Sequence, residues 1–210
     1  EVRKRLGRVA GLIEMLELQP VAGSIGIGHT RWATHGEASD INSHPHRDET
    51  GRVVIVHNGV IENYDRLKSE LAKTGRGFQS TTDTEVVAQL IGWKLDQLIE
   101  SGRAADDPET CWDALQAALG ELKGTYGLGV LFRDCPGHLW TTRCGSPLVV
   151  GVGGLGALTT FSTFASDTLA LADEGRRRVG GHVAATVVLG LAAALGVVPV
   201  RFTAADVQLA

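Results

Sequence analysis

The sequence predicts an α+β fold built on antiparallel sheet. Three observations predict it. Two strand patterns come early, Ser24–His29 and Arg52–Val56. Three helical patterns then follow one another between Ile61 and Lys123, with no strand between them. Three more strand patterns come after, Tyr126–Phe132, Leu139–Arg143 and Leu148–Val152. Strands in runs and helices in runs suit segregated layers, whereas a parallel sheet needs strict alternation.

Each element has its local reason. From about Arg8 to Leu18, the apolar residues Val9, Leu12, Ile13 and Leu16 recur at helical spacing. Ser24–His29 alternates glycine with larger residues and reads as a strand. Thr34–Thr50 is rich in Asp, Asn, Ser, Pro and His, so it reads as a loop. RVVIV, Arg52–Val56, is a compact buried strand. Ile61–Thr74 is helical, with Ile61, Tyr64, Leu67 and Leu71 on one face and Gly75 as its stop. Thr82–Gln97 is a second helix with Val86, Val87, Leu90, Ile91 and Leu95 inward, and Asp83 is placed to cap it. Glu109–Lys123 is a third. No internal repeat and no low-complexity linker interrupt the series.

Composition narrows the class. The 210 residues are 43% hydrophobic and 21% charged, which fits an ordinary globular chain. A net charge of −4 supplies no field for nucleic acid. Cys111, Cys135 and Cys144 are odd in number and lack C-x-x-C spacing, which points to a reducing cytoplasm rather than a disulfide framework. The N-terminal EVRKRLGRVAG has no apolar core of a signal peptide. Val183–Val200 is an uncharged run at the lower length limit of a membrane span. Its Ala and Gly content and Pro199 favour buried core, so no membrane partner is expected.

Three short stretches could do chemistry, and each has a plain alternative. HNG, His57–Gly59, sits just past the strand RVVIV. An Asn amide and a Gly N–H there can converge on a developing oxyanion; alternatively Asn-Gly is a simple turn. In TDTE, Asp83 could cap the helix or hold a ligand ammonium. In RWATHG, Arg31 is a fork matched to a carboxylate, Trp32 offers a flat wall, and Thr34 and His35 offer small polar groups. The alternative is an exposed strand end. Arg31 and Asp83 together would recognise the head of a free α-amino acid.

Two further patterns carry less. His44, His46 and His57 suggest a metal site, but no carboxylate or Cys stands at ligand spacing. GVGGLG, Gly151–Gly156, is a literal dinucleotide fingerprint, but no helical pattern opens after it. No cofactor is expected.

HTRWATHG, NSHPH, VHNGVIEN, TDTEV, the Gly-Thr-Tyr-Gly stretch at Gly124–Gly127, GSPLVVG and ASDTLAL run in order from His29 to about Ala172. Taken together they resemble the class II glutamine amidotransferases, and specifically the glutaminase domain of the isomerising aminotransferases that make glucosamine 6-phosphate. The resemblance implies the four-layer αββα sandwich of N-terminal nucleophile hydrolases. It implies hydrolysis of the L-glutamine amide, with ammonia passing to a separate sugar-isomerising domain that aminates fructose 6-phosphate. It assigns Asn58 and Gly59 to the oxyanion hole, Arg31 to the glutamine carboxylate and Asp83 to its ammonium. Thr34 and His35 would line the pocket, and Trp32 would help close it. The parent would be a cytoplasmic homo-oligomer.

The resemblance also sets departures. The family's nucleophile is an N-terminal cysteine whose own amine is the base, whereas position 1 here is Glu1. The expectation is a polypeptide that lacks the family's opening strands and its sugar domain. It would expose sheet edges, self-associate and release no ammonia alone. The amidotransferase domain is expected over 1–173, with 174–210 as its divergent end. The alternative function is a non-catalytic glutamine-binding module or a degenerate relic of the enzyme.

Overall fold

The computed structural model describes residues 1–23, 25–31, 37–146, 148–150, 157–159 and 200–203, the last seven of these and 149–150 through their backbone. The fold is α+β with antiparallel sheet. The elements run α1 (Val9–Leu18), β1 (His46–Arg47), β2 (Val53–Ile61), α2 (Tyr64–Lys73), α3 (Asp83–Glu100), α4 (Pro108–Leu119), β3 (Gly124–Phe132), β4 (His138–Cys144), β5 (Leu148–Val150), β6 (Ala157–Thr159) and β7 (Val200–Thr203). One sheet has the order β1-β2-β3-β4-β7, every pair antiparallel. β5 and β6 form a second, two-stranded sheet.

The core lies between the large sheet and the helices. Residues 53, 55, 57 and 61 of β2 share one face by the period-two alternation of a strand, and all four are buried. α3 packs on that face, with α2 and α4 beside it. Val86, Val87, Leu90, Ile91 and Leu95 of α3 meet Leu67, Leu71, Ala114, Leu115, Leu128 and Trp140 in one cluster. A buried Leu or Ile is worth about 1.5–3 kcal/mol relative to exposure, so these residues dominate the stability of this half of the chain. Buried Arg76 is held in place by Gln89 and Asp96, and Glu49 N–H donates to the same Gln89 Oε1, so the turn before β2 is tied to α3.

Ile61 ends β2 where a helix start was expected, β1 lies within the stretch expected as a loop, and three further differences bear on the site. Ile25–His29 is not a strand. Gly26 and Gly28 have no side chains to pack and lose the most backbone freedom on ordering, so the alternation is not enough to hold a strand. β2 does not stop at Val56. It runs on to Ile61 because β3 stands opposite for all nine residues, from Val53↔Phe132 to Ile61↔Gly124. HNG is therefore inside a strand, and the Asn-Gly turn is excluded. The cap of α3 is Thr82, whose hydroxyl accepts from Glu85 N–H, while Asp83 is the first helical residue.

Candidate glutamine site

The site is built around the middle of β2. Asn58 pairs with Gly127 and Gly59 with Tyr126. Gly59 has φ +137°, and a Cβ built on it would lie 2.1 Å from the Thr125 carbonyl oxygen. No side chain fits, so glycine here is a requirement of the β2–β3 approach. The Asn58 side chain lies on the face opposite His57, and it is half-buried. Ile27 reaches that same face: its Cγ2 is 3.7 Å from the position a Cβ on Gly129 would take, and Gly129 pairs with Val56. The segment leading to Arg31 thus passes over the face that carries Asn58.

Asp83 comes to the same strand from α3. Its Oδ2 accepts the Ile61 N–H at 3.0 Å, two residues past Gly59. Its Oδ1 accepts from Thr84 Oγ1 at 3.4 Å. The carboxylate is 4% exposed, so it is a buried, anchored acceptor rather than a surface charge. A helix N-terminus supports a negative charge of this kind.

Between Asp83 and Arg31 stands a group of histidines. The ring centroids of His29 and His44 are 4.1 Å apart, and those of His44 and His46 are 5.1 Å apart. His57 Nδ1 is 3.1 Å from Thr84 Oγ1 and 3.9 Å from Asp83 Oδ2. His46 Nε2 is 3.3 Å from the Asn42 carbonyl, to which it donates, and 3.2 Å from the Thr82 hydroxyl. Burial pushes the His29 imidazole down to about 4, with His57 and Arg31 adding to the effect. Burial, then Lys4, brings His46 to about 3. His44 is driven far below the usual imidazole range, again by burial first and then by His29, His46, His57 and Arg31. These rings are neutral at pH 7. Arg31 lies close enough to act on His29, His44 and His46, and its Nη1 donates to the Glu37 carbonyl at 3.0 Å.

Sequence reading and structure meet unevenly. Asn58 and Gly59 lie in β2, and Asp83, on α3, bonds to Ile61 of the same strand. Arg31 stands beside the histidine group. Trp32, Thr34 and His35 lie outside the described residues. Asp83 as cap is corrected to Thr82. The sequence reading gave His44 no role beyond a discounted metal site, took His57 only as the start of HNG, and gave none to Thr84, whereas the structure sets His44 on the His57 N–H and Thr84 between His57 and Asp83. Among the described residues, no group of three or more His, Cys, Asp or Glu could hold a metal ion. Cys111 and Cys135 are buried, and the Cys111 thiol is pushed up to about 12 by burial and then by Cys135. Such a thiol stays protonated and is no nucleophile.

Residues 19–101 match the family described as glutamine amidotransferase domain. The chain is 46% identical over 153 residues to the glutamine–fructose-6-phosphate aminotransferase (isomerizing) of Thermococcus kodakarensis, covering 73% of this chain and 24% of that protein. It is 43% identical over 174 residues to the enzyme of the same name from Escherichia coli K12, covering 83% and 26%. The chain thus spans about a quarter of the length of these relatives. A solved glutamine phosphoribosylpyrophosphate amidotransferase from B. subtilis aligns at 28% identity and a TM-score of 0.48, over 66% of this chain and 28% of that one. Residues 93–197 also match a second family, described as CrcB-like protein, camphor resistance. The two matches share residues 93–101, the last turns of α3 and its C-cap Ser101. Through the part that carries β2, α3 and the site, the chain belongs to the glutamine amidotransferase domain family, and through residues 93–197 it belongs to the CrcB-like family as well.

Proposed function

We propose that this chain binds L-glutamine and is the glutaminase part of an enzyme that supplies ammonia for making glucosamine 6-phosphate from fructose 6-phosphate. Arg31 takes the α-carboxylate and Asp83 the α-ammonium. The Asn58 side-chain amide and the Gly59 N–H donate to the oxygen of the glutamine amide, where charge develops on attack. Thr34 and His35 line the pocket and Trp32 closes it. The observation that supports the reading is the bond from Ile61 N–H to Asp83, which ties the proposed ammonium acceptor to the strand that carries Asn58 and Gly59. The described cysteines form no disulfide with one another, which supports a reducing, cytoplasmic setting, and the parent enzyme is taken as a homo-oligomer.

Calorimetry with L-glutamine tests the reading. Arg31→Ala should weaken binding by about 10- to 100-fold, the range of a hydrogen bond to a charged group. Asp83→Asn should weaken it too. Affinity that ignores Arg31→Ala, or an absence of binding, overturns it.

The end of the chain supports two assignments. In the first, residues 1–173 form the amidotransferase unit and 174–210 finish the same domain, supported by the pairing of β7 with β4. The CrcB-like match favours a second, in which the segment beyond β5, with its uncharged run Val183–Val200, belongs to a unit of that other family. Among the described residues no helix is long and apolar enough to cross a membrane. Limited proteolysis of the whole chain separates the two. Protection of residues 200–203 together with β4 supports the first. A stable product ending near Val150, with the remainder partitioning into detergent, supports the second.

A further inference from the structure

We propose that His44 is a positioning residue for the oxyanion hole, holding Asn58 in place through the backbone of His57. The inference deepens the glutamine reading and rests on it. It starts from register. β1 pairs His46 with Ile55 and Arg47 with Val54, so the same antiparallel register carried two residues further out would set His44 opposite His57. No strand partner exists there, because β1 ends at His46 and Pro45 has no N–H to continue a ladder. The outward N–H of His57 would be an orphan in a buried edge, which costs about 1–3 kcal/mol. The His44 side chain takes it instead: Nδ1 accepts the His57 N–H at 3.4 Å.

Each end of this link is anchored. His44 is wedged between His29 and His46, at 4.1 and 5.1 Å. His46 is in turn bonded to Asn42 and to Thr82 at the cap of α3. On the other side, the Thr84 hydroxyl gives its hydrogen to Asp83 Oδ1, so the His57 ring donates from Nδ1–H to Thr84 Oγ1. His57 is thus pinned by its backbone to the loop before β1 and by its side chain to α3. Asn58 is the next residue. A small rotation of β2 at His57 would swing the Asn58 amide off the point where the amide oxygen must sit, and a misplacement of about 1 Å is costly in such a site.

The bond requires a lone pair on His44 Nδ1, so the neutral ring must carry its proton on Nε2. Long-range ¹H–¹⁵N spectra of the whole chain should show that tautomer, and a proton on Nδ1 would refute the bond outright. Three polypeptides then separate positioning from mere structure: the unmodified chain, His44→Ala and His44→Asn, since an Asn oxygen can stand in for Nδ1. Amide exchange at His57 should speed up about tenfold or more in His44→Ala, as for loss of one buried hydrogen bond, and stay near the original in His44→Asn. Affinity for L-glutamine should fall about tenfold in His44→Ala and recover in His44→Asn. Affinity for L-norvaline, which keeps the amino-acid head but lacks the amide, should not change. Equal losses for both ligands, or unchanged exchange at His57, overturn the proposal. If the unmodified chain binds neither ligand, the glutamine reading fails, while tautomer and exchange still decide the bond. If His44→Ala does not fold, the tautomer and the His44→Asn exchange decide it.

Discussion

α3 and α1 carry the same signal in the sequence and meet opposite fates in the fold. Both show apolar residues at helical spacing. α3 buries eleven of its eighteen residues, and its polar start, Asp83, Thr84 and Glu85, is buried with the rest. α1 buries none; Val9 and Ile13 remain 53% and 52% exposed, and Leu18 at its end 84%. The caps differ in the same sense. Thr82 accepts from Glu85 N–H at the start of α3, and the Glu85 carboxylate takes the N–H groups of Gln79 and Ser80. Arg8 makes no side-chain cap bond to α1. Periodicity states that a helix has a stripe. What covers the stripe is set by long-range partners, here β2, α2 and α4 for α3.

Acid should break the comparison most strongly, because it attacks only the α3 side. His46 touches the α3 cap, and His29 and His44 pack behind it, facing His57, Arg31 and Lys4. Their folded values lie below the ordinary 6.5, so the unfolded chain binds more protons as pH falls. Stability is therefore full above about pH 6.5 and is lost downward, to about 4 for His29 and about 3 for His46. Each lagging ring contributes up to about 1.4 kcal/mol per pH unit in that window. Chemical denaturation at pH 7, 6 and 5 should show the loss, and His46→Gln should reduce its slope. A flat profile from pH 7 to 5 would mean the rings are solvated.

Leu90→Ala comes next. Leu90 is 1% exposed in the centre of α3, and such truncations cost about 2–5 kcal/mol. A midpoint shift in urea, with unchanged slope, measures it. Gly59→Ala follows. The added carbon meets the Thr125 carbonyl at a positive φ, a strain of about 1–3 kcal/mol. Because the clash lies inside the site, glutamine affinity should fall further than stability does. Thr82→Ala removes the α3 cap and should cost about 1 kcal/mol.

How much of this was legible follows from the range of each interaction. The helices and β3, β4 and β5 were readable because their signals are local, as with Leu67 and Leu71 one turn apart; α4, expected over Glu109–Lys123, runs Pro108–Leu119 with Asp107 as its cap. The length of β2 was not, because it depends on β3 lying nearly seventy residues away in the chain, with Gly59 and Gly124 permitting the close approach. Asn58, Gly59, Arg31 and Asp83 were legible as residue types suited to an amide, a carboxylate and an amine. Their arrangement was not. Asp83 looked like a cap because any Asp at a helix start does; only the fold shows Ile61 N–H claiming its carboxylate. His44, His46 and His57 were set aside as metal ligands for want of a carboxylate or Cys at ligand spacing, but the bonds they make instead, to Thr, Asn or a backbone N–H, could be seen only in the fold.

The smallest predicted effect sharpens the contrast. Ile13→Ala on α1 should change the stability of dilute monomer by no more than about 0.5 kcal/mol, as for a surface position. The same truncation at Ile91, which is fully buried in α3, should cost several times that. The value at Ile13 is informative through its dependence on concentration. Leu6, Val9, Ile13 and Leu18 expose a band of apolar surface, and such bands drive association. If a second copy covers α1, the unmodified chain will gain stability with protein concentration and Ile13→Ala will lose part of that gain, because anything that binds only the folded state stabilises it by mass action. If stability is independent of concentration for both, α1 stands alone in solution, and its stripe is held by nothing but its own helix.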